Sequence, residues 1–185
     1  MNFRECQKTG DTGVEVVMRW LAHRNKVFEN RMVRTDKGRI AMQLQTTVGD
    51  VLYNPTRETV MSIEVKTERE AWPNLFLETY SNADSERLKL GWLFTLDSDW
   101  LFYYFMPNDL LCTVDFQRLK TWAFAGKRPD GSSGRIYDFP EKRQRLHRQL
   151  NDTRARVVPI QILATEVGLR QWHPVAEMSG AEIVA

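Results

Sequence analysis

The chain has 185 residues, of which 42% are hydrophobic, 11% aromatic and 27% charged, with six Trp and nine Phe. That is too apolar for a disordered chain and enough for a buried core, and the length predicts one domain. No apolar run approaches the roughly 18–20 residues that span a bilayer. The start Met1-Asn2-Phe3-Arg4-Glu5 is polar where a signal peptide is basic and then apolar, so a soluble, cytoplasmic protein without a membrane partner is expected.

The first dozen residues read as a polar lead-in. Thr12 then offers an N-cap with Glu15 three residues on, a capping-box spacing. Val14, Val17, Met18 and Leu21 recur at helical spacing, which predicts a helix from Gly13 to His23 or Arg24. Short strands are expected at Lys26–Glu29 and Ile40–Gln45 around a turn at Asp36-Lys37-Gly38, and at Val51–Tyr53 before the turn signal Asn54-Pro55. Met61 to Lys66 alternates cleanly, with Met61, Ile63 and Val65 on one face and Ser62, Glu64 and Lys66 on the other. Leu75–Tyr80, the aromatic run Trp100–Met106 and Leu110–Val114 are further strands, and the aromatic run has the character of a central, core-forming one.

Phe116 to Ala125 is predicted to be a helix, Gly126 to Pro140 a loop, Glu141 to Asn151 a basic helix and Val157–Leu163 a strand. The sum is an α/β (α+β) chain with a mixed central sheet flanked by helices.

Cys6 and Cys112 stand far apart, and His23, His147 and His173 are equally scattered, so neither a zinc cluster nor a disulfide framework is expected. The net charge of +2 conceals an asymmetry: Arg118–Arg156 holds 11 Lys/Arg against 4 Asp/Glu, a balance of +7 on a body of −5. Such a segment is either a solvated helix plus a basic loop or a surface that holds a polyanion. Lys127, Arg128 and Arg135 flank its loop, and Lys142, Arg145 and Arg148 are spaced three apart, which would form one stripe on a helix.

Chemistry concentrates around Asp50, Glu64 and Lys66. If Val51–Tyr53 pairs antiparallel with Ile63–Val65, Asp50 approaches Glu64 and Lys66, and one face carries two carboxylates and an ammonium. A divalent metal relieves the repulsion between such carboxylates, and oxygen donors select Mg²⁺ or Mn²⁺. The other reading is an exposed Glu/Lys pair on an edge strand, with Asp50 as a turn former.

The segments Gly49-Asp50-Val51 and Ser62-Ile63-Glu64-Val65-Lys66, an acid followed by a hairpin and E-x-K on an apolar strand, resemble the PD-(D/E)XK nuclease superfamily. The likeness covers roughly residues 13 to 80 and fits a small stand-alone phage-type member with a restriction-endonuclease-like fold. It implies that Asp50 and Glu64 bind Mg²⁺ or Mn²⁺ with the Val65 carbonyl, that Lys66 is catalytic, and that Glu15 on the first helix is a metal or water ligand. Gly49 departs from the proline that often precedes the aspartate.

The implied activity is hydrolysis of phosphodiester bonds, in DNA rather than RNA, with junction resolution among the options and a homodimer as one assembly. The alternative is a non-catalytic nucleic-acid-binding or partner-binding protein on the same fold. Glu78 either serves this site or pairs with Arg87 or Lys89, and Tyr80, Ser81 and Asn82 offer phosphate-binding groups. Asp97 and Asp99 read as loop and cap residues rather than ligands.

Overall fold

In the computed structural model, which describes residues 3–24, 32–34, 49–56, 58–83, 88–126, 134–145 and 152–180, the polar start of the chain is helical. Helix α1 spans Phe3–Arg24, ten residues longer than its apolar periodicity predicts. Thr12 is therefore no N-cap. Its hydroxyl donates to the Lys8 carbonyl at 2.9 Å, and Thr9 does the same to Glu5 at 2.8 Å, the back-bonding habit of threonine inside a helix. Gly13 is inside α1 because the helix approaches the sheet there: a Cβ on it would stand 1.8 Å from the Thr67 hydroxyl.

The chain forms two compact units, 1–72 with 97–116 and 170–185, and 73–96 with 117–169. The first is built on strands β1 (Met32–Arg34), β2 (Val51–Tyr53), β3 (Met61–Glu68), β6 (Trp100–Phe105), β7 (Leu110–Asp115) and β10 (Arg170–Trp172). They form one mixed sheet in the order β1-β2-β3-β6-β7-β10. β3 and β6 run parallel, while β2–β3 and β6–β7 are antiparallel.

One face of this sheet is covered by α1. Val14, Val17, Trp20 and Leu21 pack with Val51, Tyr53, Ile63, Val65, Phe102, Tyr104 and Leu111, the alternate residues of four neighbouring strands. The other alternation, with Leu101, Phe105, Cys112 and Val114, is buried as well, so the aromatic strand is core as its composition predicts. The C-terminal helix α5 (Pro174–Ser179) is tied to α1, with Glu177 accepting from Trp20 Nε1 at 2.9 Å and from Arg24 at 3.3 Å. Its N-terminal amides at Val175 and Ala176 donate to the Asp109 carboxylate.

The second unit holds an antiparallel sheet in the order β5-β4-β9-β8. Its strands are β4 (Asn74–Asn82), β5 (Lys89–Leu90), β8 (Glu141–Arg145) and β9 (Asp152–Pro159), with helices α2 (Trp92–Thr95), α3 (Phe116–Ala123, one residue over the boundary) and α4 (Ile160–Glu166). Two expectations change here. Glu141–Arg145 is a strand paired with β9 rather than the start of a helix, because its backbone finds a partner along the whole of Asp152–Arg156. The strand expected over Val157–Leu163 stops at Pro159, which has no N–H to donate and whose φ of −58° leads into α4.

The strands expected at Lys26–Glu29 and Ile40–Gln45 and the turn between them lie outside the described residues. No helix among the described residues is long and apolar enough to cross a membrane.

Candidate active site

The β2–β3 hairpin brings the two acids together. Val51 stands opposite Ile63 and Tyr53 opposite Met61, two residues further down β3 than the expected pairing. An even displacement keeps every side chain on its face, and it sets Asp50 opposite Glu64. The Asp50 amide donates to the Ile63 carbonyl at 2.9 Å, and the Asp50 Oδ2 accepts the Val65 amide at 2.9 Å.

Glu64 is 6% exposed on a strand flanked on both sides, so the edge-strand reading of this pair does not hold. A carboxylate so buried needs a partner. Lys66, two residues on and hence on the same face, makes a salt bridge to the Glu64 Oε1. The Lys66 side chain is 31% exposed against 8% for that of Glu64, so the acid is the more buried member of the pair.

Gly49 has φ of +104°, and a Cβ there would meet the Ile63 carbonyl at 2.8 Å and the Glu64 amide at 2.9 Å. The turn into Asp50 thus excludes proline, whose φ is fixed near −65°. The departure from the family pattern at Gly49 is a backbone requirement of this hairpin.

Ser62 and Asp99 were not expected to brace the site. The Asp99 Oδ2 accepts the Ser62 amide at 2.7 Å and its hydroxyl at 2.9 Å, joining the starts of β3 and β6. Asp99 is thus a long-range brace and not the loop-and-cap residue expected, and it fixes the strand two residues before Glu64. Beyond Lys66 on the same face, Glu68 accepts the Tyr103 hydroxyl at 2.7 Å.

Glu15 does not join these groups. Its neighbours Val14, Val16 and Val17 are buried against the sheet while Glu15 is exposed, and α1 covers the face of Ile63 and Val65, opposite that of Glu64 and Lys66. Among the described residues no group of three or more His, Cys, Asp or Glu side chains is placed to hold a metal. The donors that the register sets opposite each other are two carboxylates. Mg²⁺ fits such a set, since it is held through one or two carboxylates and keeps several waters. Cys112 offers no nucleophile: burial pushes its thiol up to about 12.

The remaining candidates fall in the second unit. The Glu78 Oε1 accepts the Ser81 hydroxyl at 2.6 Å, and Glu78 forms no ion pair with Lys89, while Arg87 lies outside the described residues. Asn82 is buried and its Oδ1 accepts the Asp152 amide at 3.3 Å, while Tyr80 pairs across to Arg154 and Leu90. Arg135 is committed to Glu166 and Asp138, both at 2.8 Å.

Lys142 and Arg145 lie on β8, a strand and not a helix, so the expected helical stripe does not form. Lys127, Arg128 and Arg148 lie outside the described residues. The strand period brings a different set together: Arg143 stands across from Arg154 and Glu141 from Arg156, with Arg143 held by Asp152. The two-residue spacing of Arg154 and Arg156 was the sequence signal for it.

Comparison of the chain with protein-family models, with curated proteins and with solved structures returns no match.

Proposed function

We propose that Asp50, Glu64 and Lys66 form the site of a metal-dependent nuclease that hydrolyses phosphodiester bonds, in DNA before RNA. The observation that carries this reading is the buried Glu64, set opposite Asp50 on an interior strand and touched by a partly exposed lysine. Two carboxylates and an ammonium thus meet on one face of the sheet.

Asp50 and Glu64 would hold Mg²⁺ or Mn²⁺. The Val65 amide is turned to Asp50, and the carbonyl of a strand residue leaves on the same side as its amide, which makes that carbonyl a third oxygen. A bound ion of this kind polarises a phosphoryl oxygen and acidifies a water. Lys66, whose side chain is partly exposed, offsets charge that develops on the phosphate. Gly49 shapes the turn into Asp50, and Asp99 ties the start of β3 to that of β6. Glu15 takes no part in this reading.

The Glu64–Lys66 salt bridge also favours a second reading, a non-catalytic nucleic-acid-binding or partner-binding protein, because it already compensates the buried charge without a metal. The two separate on a labelled panel of linear duplex, single strand, nicked plasmid, four-way junction and RNA, each with Mg²⁺, Mn²⁺ or EDTA. The nuclease cuts with metal, stops in EDTA and loses at least about a hundredfold in rate in Glu64→Gln, the several kcal/mol that such a metal site supplies. DNA binding with no cutting on any substrate would leave the second reading.

A further inference from the structure

A cleft of about 400 Å³ opens beyond the end of β3, lined by Lys8, Thr9 and Thr12 of α1, by Arg69, and by Met106 and Pro107 after β6. Its volume is that of a small-ligand site, which run from roughly 300 to 1,000 Å³. Two cations and two hydroxyl residues line it, and among the described residues no carboxylate does.

Arg69 is what distinguishes the cleft from ordinary basic surface. Its Nε donates to the Thr9 hydroxyl and its Nη2 to the Glu5 carbonyl at 2.7 Å, so the guanidinium is held in place. Both acceptors are neutral. Arg135, Arg143 and Arg156 are each matched by a carboxylate, whereas Arg69 has none among the described residues. Of the five guanidinium N–H groups two are used by these bonds, and the others can meet an oxyanion bidentately. Met106, 36% exposed, and Pro107 add an apolar wall beside the charge. Phosphate next to a base or sugar is the chemistry that combines these demands.

We infer that this cleft binds a backbone phosphate of the nucleic-acid strand, outside the site of cleavage. The inference rests on the nuclease reading for the identity of the strand. The cleft lies on the side of the sheet that α1 covers, opposite Glu64 and Lys66, so a strand held at both passes round the end of β3. The contact supplies affinity and register without reading sequence.

The test is fluorescence anisotropy of a labelled single-stranded DNA oligonucleotide over 50 mM to 1 M salt, in a Glu64→Gln background so that the probe survives. Lys8→Gln and Arg69→Gln are each compared with the parent. Each lost phosphate contact should flatten the plot of log affinity against log salt by about 0.7, which is about eightfold weaker binding at 50 mM. Because Arg69 also ties α1 to the end of β3, Lys8→Gln is the variant that carries no bracing bond.

Parent-like affinity and slope in both variants would overturn the inference, and so would a parent that binds no DNA at 50 mM. Cutting by the protein with Glu64 intact is scored separately. DNA binding that flattens in the variants, with no Glu64-dependent cutting, retains the cleft and removes the nuclease reading.

Discussion

Two glycines three residues apart on α1 should respond to alanine with opposite signs. In a helix interior, alanine is favoured over glycine by about 0.8–1 kcal/mol, from backbone entropy alone. At Gly10 nothing lies within 4 Å of the added Cβ, so Gly10→Ala should stabilise the protein by about 0.5–1 kcal/mol. At Gly13 the same Cβ falls 1.8 Å from the Thr67 Oγ1, 2.9 Å from its Cβ and 3.0 Å from its Cγ2. Rotating the threonine moves the hydroxyl away but not the Cβ, so α1 must lift from β3. Overpacking of that kind costs about 1–3 kcal/mol or more and outweighs the helix gain. For a chain of this size the net loss lowers the melting temperature by about 2–8 °C.

Thermal and urea unfolding followed by circular dichroism measure both signs. Thr67→Ala supplies the control. The Thr67 hydroxyl is buried with no hydrogen-bond partner among the described residues, so its removal costs little by itself. In the Gly13→Ala background it should recover part of the loss, a coupling of about 0.5–3 kcal/mol between touching sites. Equal stabilisation by Gly10→Ala and Gly13→Ala, or additivity with Thr67→Ala, would refute the close approach of α1 to the strand that carries Glu64 and Lys66.

The hairpin and the second unit give two more. Gly49→Ala combines a positive φ with a Cβ against two backbone atoms of β3 that cannot move aside, and should cost about 2–4 kcal/mol in urea unfolding; a loss under about 0.5 kcal/mol would mean that the turn into Asp50 is not so constrained. Hydrogen bonds from Arg135 first, and then from Trp122 at 2.8 Å, hold the Glu166 carboxyl down to about 2 from its usual 4.5. A depressed acid stabilises the fold above its unfolded value and loses that contribution as pH falls through the folded one, so the deficit of Glu166→Gln at pH 7 should shrink between about pH 4.5 and 2. A deficit that persists unchanged to pH 2 would contradict the pairing.

What was legible in the sequence is what depends on short-range alternation. Met61–Lys66 alternates with the period of a strand and Trp100–Phe105 is a continuous aromatic run; both fold as strands, with Ile63, Val65 and Leu101 to Phe105 buried. Boundaries and partners were less visible. Nothing in Phe3–Thr12 marks a helix by itself, and that stretch is helical because Thr9 is clamped by Arg69, sixty residues away, and α1 continues into a buried face. Glu141–Arg145 has no apolar pattern of either period. Its state was decided by β9, a partner that a local window does not contain.

The candidate site divides along the same line. Asp50 and Glu64 meet because a hairpin has a register and a strand has a period of two, and a slip of two residues leaves both faces intact. Helical phase is as strict, and here it opposed the family likeness. Val14, Val17 and Leu21 set the buried side of α1, which leaves Glu15 with Arg19 and Ala22, at i, i+4 and i+7, on the outer side; all three are exposed. The resemblance asks this glutamate to serve the site, while the apolar spacing around it already turns it away. Where a motif borrowed from a family conflicts with the phase of the element that must carry it, the phase governs, because rotating α1 to present Glu15 would pull Val14, Val17 and Trp20 out of the core.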